Sequence, residues 1–200
     1  MKKLLCVLAA LWIGIQGAQA TVDSQKAEAF MSRIGTEVIG LLTNKNISDQ
    51  ERAEKFQQML DSSFDVNAVG KFVLGRYWKQ ATEEQKQQFL KLFTETTVLS
   101  YATRFKEYTS ERFEVTGSRM EADGGVTVTS KIIRPKAPEI SIDWKIFEKK
   151  GQMRIYDVIL EGISMGITQR SEYAAVIQQG GGNIQTLISA LEKKLMTYKK

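Results

Sequence analysis

The sequence predicts an α+β domain in which several helices cover a four-stranded antiparallel sheet. Three observations carry that prediction. Apolar residues recur at three- and four-residue spacings as far as about Tyr108, alternate from Phe113 to Leu160, and return to helical spacing after Ser164. The strands form one uninterrupted block, so they should build a meander joined by short turns, without βαβ crossovers.

The first amphipathic stripe runs from Asp23 to Leu42 through Ala27, Phe30, Met31, Ile34, Val38, Leu41 and Leu42, and Asn44 to Asn46 breaks it. Ser48 followed by Glu51 has the form of a capping box and opens a second helix through Phe56, Met59 and Leu60. A short apolar helix from Val66 to Leu74 should end at Gly75, a residue suited to a left-handed cap. Thr82 with Gln85 opens the longest helix, expected to reach about Tyr108.

Phe113 and Val115 begin the strand block, and Glu121 to Gly125 forms its first turn. Val126, Val128, Ser130 and Ile132 then alternate with polar partners. The segment Pro135 to Pro138 and the pair Lys150-Gly151 mark two further turns, before and after the strand carrying Ile140, Ile142, Trp144 and Ile146. Met153 to Leu160 supplies the fourth strand. Ser164 to Gln179 and a last helix capped by Asn183 complete the chain, with Gly180 to Gly182 between them.

The first twenty residues read as a secretory leader. Lys2 and Lys3 precede the apolar run Leu4–Ile15, and Ala18-Gln19-Ala20 is a small-x-small cleavage site. The expected organisation is therefore a signal peptide over 1–20 and one domain over 21–200. Removing the leader takes away the only cysteine, Cys6, and leaves 26 basic and 23 acidic residues, a net of +3, with no histidine. A charge that small argues weakly for nucleic acid, and an exported chain without disulfides must draw its stability from packing.

Composition also restricts the chemistry. Zinc sites normally draw on Cys or His, and Ser-His-Asp and Cys-His arrangements need a histidine the chain lacks. The glycine triplet 180–182 joins helix to helix and lacks the lysine of a phosphate loop. Asp157 and Glu161 resemble an acid–base pair only in spacing, and their expected role is to cap turns or accept from backbone amides. What stands out is apolar surface: Phe89, Leu92, Phe93 and Leu99 form one stripe of the long helix, and Val98, Tyr101, Ala102, Phe105 and Tyr108 an adjoining one. The sheet adds Ile132, Ile140, Ile142, Trp144, Ile146, Ile155 and Ile159 as inward candidates. This pattern fits a filled core and a lined cavity equally well.

Two blocks of sequence resemble a known family. The first is Phe64-Asp65-Val66 followed by Phe72 to Trp78 and Ala81 to Lys86. The second is Tyr156 to Met165 followed by Gln169-Arg170-Ser171-Glu172-Tyr173. In order and separation both resemble the MlaC family, the toluene-tolerance or Ttg2-type auxiliary proteins of lipid ABC transporters. Gly166 departs from the larger aliphatic residue expected there, and is expected to loosen the start of its helix.

The resemblance implies a monomeric periplasmic protein that carries phospholipid between outer and inner membranes and maintains outer-membrane lipid asymmetry. Implied partners are an inner-membrane ABC transporter with an MCE-domain subunit and an outer-membrane lipoprotein–porin complex, with no nucleic acid. No catalytic residue, metal or cofactor is implied, and the phospholipid is cargo. Its acyl chains would lie between helices and sheet, lined by Phe72, Val73 and Tyr77 from the first block and Ile163 from the second. Phe89, Phe93, Tyr101, Phe105, Ile132, Trp144 and Ile159 join them on apolar period. Arg76 and Arg170 are the head-group candidates, since a guanidinium matches phosphate oxygens in a bidentate way. Competing readings are a carrier of a hopanoid or fatty acid, a periplasmic adaptor with an ordinary core and, more distantly, a carboxylate-pair hydrolase.

Overall fold

The computed structural model describes residues 23–102, 110–135 and 137–198. The expected leader, Phe105 and the end expected for the longest helix lie outside the described residues. Helices α1 (Ser24–Thr43), α2 (Asp49–Ser63), α3 (Val66–Leu74) and α4 (Glu83–Ala102) precede the sheet, and a 3₁₀ turn over Gly75–Lys79 links α3 to α4. Strands β1 (Arg112–Met120), β2 (Val126–Ile133), β3 (Ile140–Lys149) and β4 (Gln152–Leu160) follow, then β5 (Ile163–Ser164), α5 (Met165–Gln179) and α6 (Ile184–Tyr198).

Local chemistry sets the boundaries. The Asp23 carboxylate accepts from the Gln25 and Lys26 amides at the start of α1, and Ser48 Oγ accepts from the Glu51 amide 3.1 Å away at the start of α2. The box before α4 is reciprocal: Gln85 N donates to Thr82 Oγ1 at 3.2 Å, and Thr82 N to Gln85 Oε1 at 3.1 Å. Gly75 ends α3 at φ 58°, and its missing side chain also leaves room for Arg170, whose Nε lies 3.0 Å from where a Cβ would sit.

The sheet is antiparallel in the order β1-β2-β3-β4-β5. It has one strand more than the expected four. Glu161 (φ 48°) and Gly162 (φ 80°) turn the chain back on itself, and the two-residue β5 pairs Ile163 with Leu160 and Ser164 with Ile159. A bulge in β4 changes the faces. Lys145 pairs with Asp157 and Ile146 with Ile155, so Tyr156 is the extra residue. Beyond it Val158 pairs with Trp144 on the core face, and Ile159 pairs with Asp143 on the opposite one. Ile155 and Ile159, both expected to point inward, therefore lie on opposite faces of the sheet.

Apolar side chains gather in two separate clusters. One lies between the sheet and α1, α2 and the end of α4, around Met31, Ile34, Phe56, Val98, Val128, Ile146 and Ile155. The other is all-helical, built from α3, the 3₁₀ turn, the first half of α4, α5 and α6 around Val73, Leu74, Phe89, Tyr173, Ile177, Leu187 and Ile188. Helix α4 serves both, giving Phe89 and Leu92 to the helical cluster and Val98 to the sheet cluster.

Candidate functional site

Where the helical half meets β3 and β4, a cavity of about 650 Å³ opens to solvent. Ala68 and Phe72 of α3 and Ile167 of α5 border one side, and Lys145, Phe147, Glu148, Tyr156 and Asp157 the other. The turn Asp123-Gly124-Gly125 closes one end. The β4 bulge makes this wall possible, because it turns Tyr156 and its neighbour Asp157 to the same side. The rings of Phe147 and Tyr156 stand 5.3 Å apart with 59° between their planes. Burial, reinforced by the charges of Asp123, Glu121 and Asp157, raises the Tyr156 phenol above its ordinary value. That phenol stays a neutral hydroxyl at neutral pH.

Asp157 organises the border. Its Oδ1 accepts from the Val158 amide at 2.9 Å and the Gly166 amide at 3.0 Å, and its Oδ2 from Ser164 Oγ at 2.7 Å. Ser164 Oγ in turn caps α5 by accepting from Ile167 N at 3.0 Å. Glu161 accepts from the Ser141 amide at 2.6 Å. Both carboxylates thus bind backbone amides, as the sequence suggested. Gly166 does not loosen the helix. It is buried, and a Cβ there would stand 3.0 Å from Asp157 Oδ1 and 3.1 Å from the Phe72 ring. The missing side chain lets α5 close onto both.

Of the expected lining residues, Phe72 borders the cavity, and Arg170 stacks its guanidinium 5.3 Å above the Phe72 ring. Val73, Tyr77 and Phe89 are buried in the helical cluster with Phe93 packed against them, and Phe89 meets both Phe93 and Tyr173 at 5.8 Å. Trp144 packs on the sheet cluster, donating from its indole to Ser130 Oγ at 2.8 Å. Ile132 is half-buried in β2, and Ile159 is half-buried on the face away from Trp144. Tyr101 is exposed at the end of α4, 6.3 Å from the Phe56 ring, and Ile163 is 60% exposed on β5. Arg76 covers the Tyr77 ring at 5.0 Å and donates to its hydroxyl at 3.0 Å. Sequence reasoning missed Phe147, Tyr156 and Ile167. Only the broken alternation Ile155-Tyr156-Asp157-Val158 could have flagged the bulge.

The cavity presents an apolar wall beside one cation, Lys145, and three carboxylates, which suits a molecule with an apolar body and a polar end. A second, polar cleft of about 430 Å³ lies around Asp61, Asp65, Lys149 and Arg154. There burial opposes ionisation of Asp65, but the Lys149 hydrogen bond, the Ala68 amide and the charges of Lys149 and Arg154 outweigh it and hold the carboxyl below its ordinary value. Among the described residues, no group of three or more Asp, Glu, Cys or His side chains is placed to hold a metal, and no helix is long and apolar enough to cross a membrane.

Fold and cavity together define a class: α+β proteins with helices against one antiparallel sheet and an open, partly apolar cavity at their junction. Within that class the chain belongs to the MlaC protein family, whose model matches residues 32–193. It is 26% identical over 133 residues to the intermembrane phospholipid transport system binding protein MlaC of Haemophilus influenzae, a match covering 64% of this chain and 61%, under two thirds, of that relative. It is 21% identical over 173 residues to the toluene tolerance protein ttg2D of Pseudomonas putida, covering 84% and 80% of the two chains. The fold matches that of a phospholipid-binding protein from Ralstonia solanacearum, solved with a phospholipid, at a TM-score of 0.76 and 22% identity, over 87% of this chain and 99% of that one.

Proposed function

We propose that this chain is a periplasmic phospholipid carrier, exported by cleavage near Ala20, and that it moves lipid between outer and inner membranes without chemical change. The observation that carries the reading is the amphipathic cavity at the junction of helices and sheet, in a chain of the MlaC family. In this proposal the carrier is the monomeric soluble component of an Mla-type system. It exchanges cargo with an inner-membrane ABC transporter through its MCE-domain subunit and with an outer-membrane lipoprotein–porin complex, and so maintains lipid asymmetry.

The energetics require an apolar route. Two acyl chains of about sixteen carbons, at ~0.8 kcal/mol per CH₂, lose about 25 kcal/mol on exposure to water. A carrier must match the bilayer interior closely enough for partners to set the direction of transfer. In the proposal Phe72, Ile167 and Phe147 receive the chains, and Ile159 extends the contact along β4. Arg170, above the Phe72 ring, meets the phosphate.

Native mass spectrometry of the chain expressed with its leader and purified without detergent tests this. A stoichiometric phospholipid adduct, identified after release, is expected. A hopanoid or fatty acid would replace the cargo, and a clean protein mass that persists after incubation with liposomes would refute the carrier.

A further inference from the structure

The cavity wall carries two opposite charges that the protein leaves without a counter-charge. Lys145 is the one cation in the lining, and among the described residues it forms no ion pair and no side-chain hydrogen bond. Its neighbours on that face of the sheet are committed elsewhere. Lys145 pairs with Thr127 on one side and Asp157 on the other. Thr127 donates to Glu121, and Asp157 accepts from the Val158 and Gly166 amides and the Ser164 hydroxyl. Asp143, two residues back along β3, pairs with Arg119 at 3.5 Å.

The second charge stands at the end that the turn closes. A side chain on residue 125 would meet the Ile146 carbonyl at 3.0 Å, Asp123 Oδ1 at 3.1 Å and the Tyr156 hydroxyl at 3.5 Å. Because Gly125 has none, these three oxygens border an open notch in the cavity wall. Asp123 Oδ1 accepts from the Gly125 amide at 3.0 Å, which fixes the turn, and among the described residues the carboxylate forms no ion pair. The charges of Asp123, Glu121 and Asp157 all bear on the Tyr156 hydroxyl, so this end of the cavity is negative.

We propose that the cavity seats the head group of an amine-bearing phospholipid, with its primary ammonium in the notch of Asp123, Tyr156 and the Ile146 carbonyl and its phosphate on Lys145. This rests on the carrier reading and adds a cargo preference to it. A primary ammonium has three N–H donors, and the notch offers three oxygens that accept. A trimethylammonium head has no N–H to give, and a glycerol head has no positive charge to meet Asp123. Lys145 and Asp123 do not pair with each other, so a head group that joins a phosphate to an ammonium supplies both counter-charges at once. Arg170 is exposed and outside the cavity lining; it meets the phosphate on the way in, and Lys145 holds it once seated.

The test is exchange of the chain, expressed with its leader, against excess vesicles holding phosphatidylethanolamine, phosphatidylcholine and phosphatidylglycerol in equal parts. Native mass spectrometry reads the lipid bound. Enrichment of phosphatidylethanolamine over either competitor by about tenfold is expected, the lower end of what one hydrogen bond to a charged group contributes. Asp123→Asn, whose amide oxygen can still accept from the Gly125 amide, and Tyr156→Phe should each bind as much lipid as the parent but erase most of the enrichment. Lys145→Met should lower total phospholipid by about tenfold whatever the head group. Lys193→Met, on α6 and outside the cavity, should leave both readings unchanged. Bound lipid in the proportions of the vesicles, or an enrichment that survives either Asp123→Asn or Tyr156→Phe, would overturn the seat and leave the carrier standing. A chain that takes up no phospholipid at all would overturn the carrier and the seat together.

Discussion

Replacing Asp157 by alanine removes a carboxylate that accepts three hydrogen bonds, from the Val158 and Gly166 amides and the Ser164 hydroxyl, at 2.7–3.0 Å. Hydrogen bonds to a charged group contribute about 1.5–3 kcal/mol each when buried. The site is half-buried, so water replaces part of what is lost, and the lower end of that range applies to about two of the three. The expected cost is about 3 kcal/mol. It includes the favourable placement of a negative charge at the start of α5, where the Gly166 amide is one of the free donors. For a chain of this size 1 kcal/mol shifts the melting temperature by about 2–4 °C, so Asp157→Ala should melt about 6–12 °C below the parent protein. Asp157→Asn keeps an oxygen for the two amides and an NH₂ that Ser164 Oγ can accept, and should lose only about 1 kcal/mol. Thermal and urea unfolding followed by circular dichroism measure both. A double-mutant cycle with Ser164→Ala should show coupling of about 1 kcal/mol. If Asp157→Ala melted with the parent, or if the cycle were additive, the carboxylate would not be what pins α5 to β4.

Gly166→Leu should destabilise by about 1–3 kcal/mol, because its side chain must displace Phe72 and the Asp157 carboxylate from contacts of 3.1 and 3.0 Å; urea midpoints measure it. Phe89→Ala, in a fully buried site between Phe93 and Tyr173, should cost about 3–5 kcal/mol and register as lost stability in the same titration. Ile167→Glu, at an exposed position bordering the cavity, should melt like the parent but copurify with little phospholipid, as native mass spectrometry would show. The Asp65 carboxyl sits below its ordinary value of 3.8 in the folded protein, so its stabilising effect is complete above that pH and fades as pH falls through the folded value. The stability gap between the parent and Asp65→Asn should accordingly hold constant from neutral pH down to about pH 4 and narrow below it.

Much of the architecture was legible because short-range chemistry encodes it. Ser48 with Glu51, Thr82 with Gln85, and Gly75 after Leu74 each marked a boundary that the backbone obeys. The faces of β4 were less legible. A strand period of two assigns Ile155 and Ile159 to one side, and a single extra residue at Tyr156 reverses the assignment. The division of apolar residues between two clusters was hidden for a related reason: periodicity says that Phe89 and Val98 turn inward from α4, but not toward which neighbour. Gly166 was misread because its value lies in a tertiary approach, which no local pattern records.

The separation into two apolar clusters has a mechanical consequence. Each is cohesive on its own, and α4 passes through both, so the protein is built as two stiff bodies on one rod. Their common boundary, where the cavity lies, is held by polar contacts such as those of Asp157 and not by a shared apolar core. Widening along that plane ruptures neither body, and the chain can swell for a bulky guest as a hinge opens rather than as a core melts. Amide exchange should therefore divide the same way, with α5 and α6 opening as one cooperative unit and β2 and β3 as another.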